Sequence, residues 1–121
     1  MDIRVKIGII NEREEQFLGP GMVQLLDGIR KCKSINKAAK EMGLSYKKAH
    51  NMVRRLDADL KEQILIRKRG GTERGGTEIT PLGEIYLAEF KRLEARVQKR
   101  ASEEFDAFEK RIAKKKKPKK R

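Results

Sequence analysis

Residues 45 to 55, SYKKAHNMVRR, combine cationic and hydrogen-bonding side chains at a spacing suited to reading DNA. In a helix, successive residues are about 100 degrees apart, so the basic and amide side chains of this segment lie away from Val53. The segment contains no acidic residue. Arginine and lysine can bond guanine O6 and N7, asparagine can pair with adenine N6 and N7, and a serine at a helix N-terminus suits a phosphate. The segment therefore predicts a DNA-binding helix with the candidate residues Ser45, Tyr46, Lys47, Lys48, His50, Asn51, Arg54 and Arg55.

A helix-turn-helix unit must position that helix, and its boundaries are visible between residues 34 and 56. Ser34 can cap a first helix and is a further candidate DNA contact, Gly43 can end that helix in the left-handed conformation, and Ser45 can cap the second. Ala49 and the apolar residues four and seven positions after it form the stripe that packs the second helix on the first. The alternative is that the unit is an ordinary helical hairpin whose basic face is only exposed to solvent. The two caps, the glycine turn and the single sign of charge together favour DNA binding.

Residues 64 to 80 predict a β-hairpin directly after this unit. A short β-prone run from Ile64 to Lys68 leads into RGGTERGG, and residues 77 to 80 return as a second strand. A hairpin in this place is the wing of a winged helix-turn-helix. Its glycine-rich loop lacks the Lys-Ser/Thr ending of a P-loop and leads into a strand, so we do not expect nucleotide binding. Its candidate contacts to phosphates or an adjacent minor groove are Arg67, Lys68, Arg69 and Arg74.

A long helix is predicted from about residue 81 to 113, with Thr80 as its cap and Pro81 at its first position. A helix of some thirty residues is about 45 Å long, more than a small domain can cover. It can fold back over its own domain, which leaves its far apolar residues exposed, or it can pair with a second copy of the chain. We favour the pair, a homodimer. The candidate interface residues are Tyr86, Phe90, Leu93, Val97, Phe105, Phe108 and Ile112.

The first residues predict one half-buried strand, because apolar residues alternate with polar or small ones from Ile3 to Ile9. Either the wing or the other protomer can supply its partner strand. A polar connection over residues 11 to 16 then leads to a helix from about Met22 to Lys31, which would complete a three-helix core. The expected fold is therefore mainly α with a small β component: a winged helix-turn-helix with an N-terminal strand and a long C-terminal dimerisation helix.

Composition limits the alternatives. The chain has 121 residues, of which 37% are hydrophobic and 40% charged, enough for one domain over residues 1 to 113 with a small core. One cysteine and one histidine allow neither an internal disulfide nor a zinc set, and no catalytic constellation is present, so we expect no cofactor, no metal and no enzyme activity. There is no secretory or membrane-spanning apolar run, so a cytoplasmic, nucleoid-associated protein that does not bind membranes is expected.

Seven of the 13 net positive charges lie in residues 114 to 121, KKKKPKKR. A run of like charges cannot pack, so a disordered basic tail is predicted there. Next to DNA such a tail would lie along phosphates and add affinity without sequence preference.

The runs SINKAAKEMGLSYKKAHNMVRRLD and ILIRKRGGTERGGTEITPLGE resemble the DNA-binding domain of the molybdate-responsive ModE family and, more distantly, that of LysR-type regulators. The resemblance extends from the N-terminal strand to about Ile112. It implies dimers joined through the long helix, with the recognition helix in the major groove. The DNA contacts that it implies are Ser45, Tyr46, Lys47, His50 and Asn51, with the wing arginines on the DNA backbone.

This sequence departs from the family in two respects. Full-length members carry further C-terminal domains that bind molybdate, whereas here a lysine tail follows the long helix, so direct molybdate sensing is not expected. The protein would act constitutively, or follow a separate sensor protein, or bind a ligand elsewhere. The recognition helix also differs after Ala49, so the family's operator does not transfer. We expect a sequence-specific transcriptional regulator that binds double-stranded DNA as a homodimer; the alternative is an architectural DNA-binding protein of low specificity.

Overall fold

A computed structural model describes residues 1–67 and 76–116, and it contains four helices and two small antiparallel sheets within these ranges. The helices are α1 (Pro20–Cys32), α2 (Ile35–Met42), α3 (Tyr46–Leu60) and α4 (Pro81–Lys115). The strands are β1 (Ile9–Ile10), β2 (Gln16–Leu18), β3 (Leu65–Arg67) and β4 (Thr77–Ile79). The predicted mainly α fold with a small β component is confirmed.

The four helices, β2 and the wing share one apolar core, to which α4 contributes Leu87 and Phe90. Leu25, Leu26 and Ile29 of α1 are essentially inaccessible, and they pack with the buried faces of α2 and α3. The closest crossing joins α1 to α2, where a Cβ atom at Gly28 would lie 2.9 Å from the Cβ of Ala38. Small residues at a crossing point allow two helix backbones to approach closely. The core thus fixes the α2–α3 unit from behind.

The prediction of a strand from Ile3 to Ile9 is wrong for most of its length. Within this segment the strand is limited to Ile9 and, just after it, Ile10, and it pairs with β2 of the same hairpin instead of with the wing. Residues before Ile9 run beside α4, where the Gln98 side chain takes the place of a neighbouring strand. Its amide donates to the Ile3 carbonyl at 2.8 Å, and its carbonyl accepts the Val5 N–H at 3.0 Å. Alternation of apolar and polar residues indicates that one side of an extended segment is buried. A helix can bury that side as well as a neighbouring strand can.

The wing strands β3 and β4 pair from Leu65 opposite Ile79 to Arg67 opposite Thr77. The Thr77 N–H donates to the carbonyl of Lys33, just after α1, at 2.9 Å. The start of β4 is therefore attached to the C-terminal end of α1. The wing residues 68 to 75 lie outside the described residues, and with them the candidates Lys68, Arg69 and Arg74.

The long helix α4 begins at Pro81 as predicted, with Thr80 as its cap, and its far end lies two residues beyond the predicted boundary. Lys114 and Lys115 form its last turn instead of belonging to a tail. Cations at a helix C-terminus interact favourably with the helix dipole, which explains the extension. Residues 117 to 121 lie outside the described ranges. Among the described residues, no helix is both long and apolar enough to cross a membrane.

Candidate nucleic-acid interface

Side-chain caps and a left-handed glycine define the α2–α3 unit, as the sequence predicts. The Ser34 hydroxyl accepts the Lys37 N–H at 3.1 Å, and Ser45 accepts the Lys48 N–H at 3.0 Å. Gly43 ends α2 with φ of 73°, a conformation that favours glycine. Each serine oxygen satisfies one of the free N–H groups at a helix start. The cap role accounts for Ser34 and Ser45 whether or not either one touches DNA.

The two sides of α3 are sharply different. Ala49, Val53 and Leu56 are buried, so the predicted packing stripe is confirmed. The opposite side, which we call the basic face, consists of Lys47, Lys48, His50, Asn51, Arg54 and Arg55; all are exposed except His50, which is half-buried. Tyr46 is 54% exposed at the start of the helix. The helix thus presents the predicted cationic and amide side chains to solvent.

His50 lies at the half-buried edge of the basic face, on the side of α3 that faces Arg67 of the wing. The Arg67 guanidinium of β3 contacts its Nδ1, and the Tyr46 ring centroid lies 4.0 Å from that of the imidazole. A guanidinium only donates hydrogen bonds, so the nitrogen facing it must accept and the ring is neutral. Partial burial, with the nearby charges of Arg67 and Arg54, lowers the pKa of His50. Arg67 thereby joins the recognition helix to the wing.

Asn51 and Arg54 also interact. The Arg54 Nη2 donates to the Asn51 carbonyl oxygen at 3.0 Å, which leaves the amide NH₂ of Asn51 as the group available to a base or phosphate. No side-chain partner holds Lys47 or Lys48 among residues 1–67 and 76–116, so both ammonium groups can bind anions.

Arg55 is the one member of the basic face with a carboxylate partner among the described residues. Its Nη1 lies 3.1 Å from Oε1 of Glu15, which follows the turn between β1 and β2. We call residues 11–15 the N-terminal turn. Arg13 bonds the same Oε1 at 3.2 Å, and Asn11 donates to it at 3.1 Å. These contacts lower the pKa of Glu15, chiefly through the hydrogen bonds from Asn11 and Arg13. Sequence analysis missed this turn, because its spacing does not reveal that it folds against α3.

Asn11 organises the N-terminal turn. Its side-chain oxygen Oδ1 accepts hydrogen bonds from the backbone N–H groups of Arg13 at 2.8 Å and Glu15 at 3.0 Å, and these bonds close the turn. Its NH₂ group donates to Glu15 and also to Asp59, in the last turn of α3, at 3.2 Å. The turn and α3 border an open groove of about 450 Å³, lined by Arg13, Glu15 and the second half of α3. The turn is therefore fixed beside the recognition helix.

The predicted dimer residues fall into two groups along α4. Phe90 is only 3% exposed and belongs to the core of its own chain, so its assignment to a dimer interface is wrong. The first turns of α4 pack back on the domain, where Lys91 also bonds Asp27 of α1 at 2.9 Å. Tyr86 lies at the margin of the same core, half-buried. Beyond Phe90, the residues of the predicted stripe are no longer buried in this core.

Further along α4, the apolar stripe extends away from the core. Leu93, Phe108 and Ile112 are 41%, 49% and 40% exposed, while Val97 and Phe105 are half-buried. The rings of Phe105 and Phe108 stack with centroids 5.8 Å apart. A soluble domain seldom leaves such a row uncovered.

Comparison with known proteins gives concordant results. The chain is 37% identical over 98 residues, 81% of its length, to the molybdenum-pterin-binding protein MopB of Rhodobacter capsulatus. It is 36% identical over 85 residues, 70% of its length, to the transcriptional regulator ModE of Haemophilus influenzae. It spans about a third of the length of these relatives, 36% and 33% respectively.

Among solved structures, DarR of Vibrio fischeri in complex with DNA matches 73% of this chain and 28% of its own, with a TM-score of 0.53 and 16% identity. This likeness supports the fold. Residues 21–84, which contain the α2–α3 unit and both wing strands, match the family described as bacterial regulatory helix-turn-helix protein, lysR family. Since that segment is more than half of the chain, the resemblance to ModE-type and LysR-type DNA-binding domains is confirmed, and the protein belongs to the lysR family of bacterial helix-turn-helix regulators.

Proposed function

We propose that this protein is a sequence-specific transcriptional regulator that binds double-stranded DNA as a homodimer. The observation that carries the proposal is the basic face of α3, which presents Lys47, Asn51 and Arg54 to solvent on a rigid, doubly capped unit. Inserted in a major groove, Asn51 and the neighbouring cations can meet base edges, while Ser45, Tyr46 and Lys48 lie nearer the backbone. Arg67 would place the wing against an adjacent phosphate or minor groove.

The homodimer is supported by the apolar stripe on the outer half of α4, where Leu93, Phe108 and Ile112 remain exposed. Two copies that bury these stripes against each other would carry two recognition helices. Their sites would then be inverted repeats, with half-sites about 34 Å or a multiple of that distance apart. A non-enzymatic role in the cytoplasm is part of the proposal, since the similar ModE protein is named a transcriptional regulator. A separate sensor protein stays a prediction.

Selection from random duplex DNA followed by footprinting tests the proposal. We expect one enriched motif with two-fold symmetry. Replacing Asn51 by alanine should remove the preference at one base position, at a cost of about 1 to 3 kcal/mol there and little at other positions. Asn36, also exposed but on α2, is the matched control, and its replacement by alanine should leave the motif unchanged.

The competing function is a low-specificity architectural protein, which the basic C-terminal residues favour. Recovery of no enriched motif would support that alternative. A chain shortened to Lys116 separates the two functions further. A specific regulator would lose affinity but keep its motif, whereas a protein that coats DNA by charge alone would lose most of its binding.

A further inference from the structure

The N-terminal turn places a fixed carboxylate against the recognition helix. Glu15 accepts two hydrogen bonds, from Asn11 at 3.1 Å and Arg13 at 3.2 Å, and forms an ion pair with Arg55 at 3.1 Å. Asn11 accepts the backbone N–H groups of Arg13 and Glu15, and it anchors the turn to α3 through its bond to Asp59. An ordinary exposed ion pair loses much of its energy in ordering two long side chains. Here Glu15 is already ordered by the turn, so only Arg55 must be positioned.

This arrangement divides the cations of the basic face into two classes. Lys47 and Lys48 have no carboxylate partner among the described residues, and Arg54 bonds only the neutral amide of Asn51. Arg55 is 47% exposed at its side chain but is matched by the negative charge of Glu15. DNA affinity that depends on salt comes from cations that displace counterions from phosphates. Glu15 also pairs with Arg13, so Arg13, Glu15 and Arg55 together carry one net positive charge where the two arginines alone would carry two.

We propose that Glu15 is a positioning residue that holds Arg55 away from the DNA backbone and removes its charge from non-specific binding. The charge available to phosphates is then concentrated in the first half of α3, where the candidate base contacts lie. Without Glu15, Arg55 can rotate from the groove beside the turn toward a phosphate. The inference rests on the proposed DNA-binding face.

The test measures the affinity for a random-sequence duplex as a function of KCl concentration. Glu15→Gln keeps the size of the side chain and one acceptor oxygen but removes the charge that pairs with Arg55 and with Arg13. We expect it to tighten binding several-fold at low salt and to steepen the log-log salt dependence by about 0.9, the value for one added phosphate contact. A merely structural role of Glu15 would not steepen this slope.

Glu12→Gln is the matched control. Glu12 lies in the same turn, is exposed, and forms no ion pair with any residue in the described ranges, so the net charge changes equally without releasing an arginine. Its salt slope should stay at the wild-type value. Arg55→Gln alone should also leave the slope unchanged, and combined with Glu15→Gln it should return the slope to the wild-type value.

Two results would overturn the inference. One is a slope about 0.9 shallower in Arg55→Gln alone, which would mean that Arg55 already contacts a phosphate. The other is a Glu15→Gln slope equal to that of Glu12→Gln. Should Glu15→Gln fail to fold, the Arg55→Gln comparison still decides the matter. Absence of any duplex binding by the wild-type protein at low salt would overturn the proposed function together with this inference.

Discussion

Arg67 in the first wing strand contacts Nδ1 of His50 in the middle of the recognition helix. This contact joins the two elements of the winged helix-turn-helix that we propose to face DNA, and it exposes a titratable group to the charges of Arg67 and Arg54. Because a guanidinium cannot accept a hydrogen bond, the contact exists only with a neutral imidazole. We therefore expect the proposed DNA-binding face to change its charge at His50, the one histidine of the sequence, as the pH falls.

We predict that His50 has a pKa below its ordinary value of 6.5 in the free protein, owing to burial and to the charges of Arg67 and Arg54. His50 is the only histidine, so NMR titration of its ring protons reads this value directly. Arg67→Gln should shift the pKa upward. A wild-type pKa at or above 6.5 would contradict the assignment.

The same shift determines how stability depends on pH. The unfolded chain binds a proton at His50 more readily than the folded chain, so the free energy of unfolding should fall as pH falls from about 6.5 through the lower folded pKa. Phosphates of bound DNA favour the imidazolium, so duplex affinity should rise over that interval. His50→Gln should flatten both curves, which chemical denaturation and binding assays at pH 5.5 and 7.5 can compare.

Gly83 is predicted to be intolerant of a side chain. A Cβ atom there would lie 2.7 Å from the Ile64 carbonyl oxygen and 2.7 Å from a methyl group of Ile79. Overpacking of this kind costs about 1 to 3 kcal/mol, which exceeds the roughly 1 kcal/mol by which alanine favours a helix. Gly83→Ala should therefore lower the free energy of unfolding in urea.

Gly21 provides the control for that substitution. Like Gly83, it lies in the first turn of a helix that begins with proline, but a Cβ atom there would meet nothing within 4 Å. Gly21→Ala should leave stability unchanged or raise it by about 0.4 to 1 kcal/mol. Equal losses in the two variants would show that packing at Gly83 is not the cause.

Asp57 is predicted to carry an unfavourable charge at neutral pH. Burial raises its pKa above 3.8, although its carboxylate accepts the Ile64 N–H at 3.2 Å. The folded state holds the proton more tightly, so stability should fall as pH rises through the interval above 3.8. Asp57→Asn keeps an acceptor without the charge and should be at least as stable as wild type at pH 7. Asp57→Ala, which loses the acceptor, should be about 1 kcal/mol less stable.

Phe108 should decide the oligomeric state. Burying its side chain against a second copy is worth about 1.5 to 3 kcal/mol, so Phe108→Asp should weaken dimerisation at least tenfold, as measured by sedimentation equilibrium. Ile85→Asp is the control, because Ile85 is 58% exposed on the same helix but outside the apolar stripe. An unchanged dimer in Phe108→Asp would remove the outer half of α4 from the interface.

Most of the DNA-facing unit was predictable because its determinants are local. Ser34 and Ser45 bond N–H groups three residues away, and Gly43 adopts the left-handed conformation at its own position. Ala49 begins an apolar stripe at helical spacing. None of these signals depends on how distant parts of the chain meet. The exposure of the α3 cations was also predictable, because they lie on the side of the helix away from the buried stripe.

Prediction failed where an amphipathic segment had several possible partners. The segment before Ile9 has the alternation of a strand, yet Gln98 of a helix completes its hydrogen bonds. Phe90 continues the periodicity of the α4 stripe, yet the domain core ends just beyond it. Periodicity identifies the side of an element that is buried, and it does not identify what buries it.

The sequence by itself determined the helix-turn-helix, its caps, its packing stripe and the residues of its basic face, because each depends on interactions within a few residues. Only the tertiary structure decided which charges on that face have a carboxylate partner within residues 1–67 and 76–116. The Arg55–Glu15 pair joins residues 40 positions apart, and the His50–Arg67 contact joins residues 17 apart. Both depend on how the N-terminal turn and the wing fold against α3, and no local pattern encodes that arrangement.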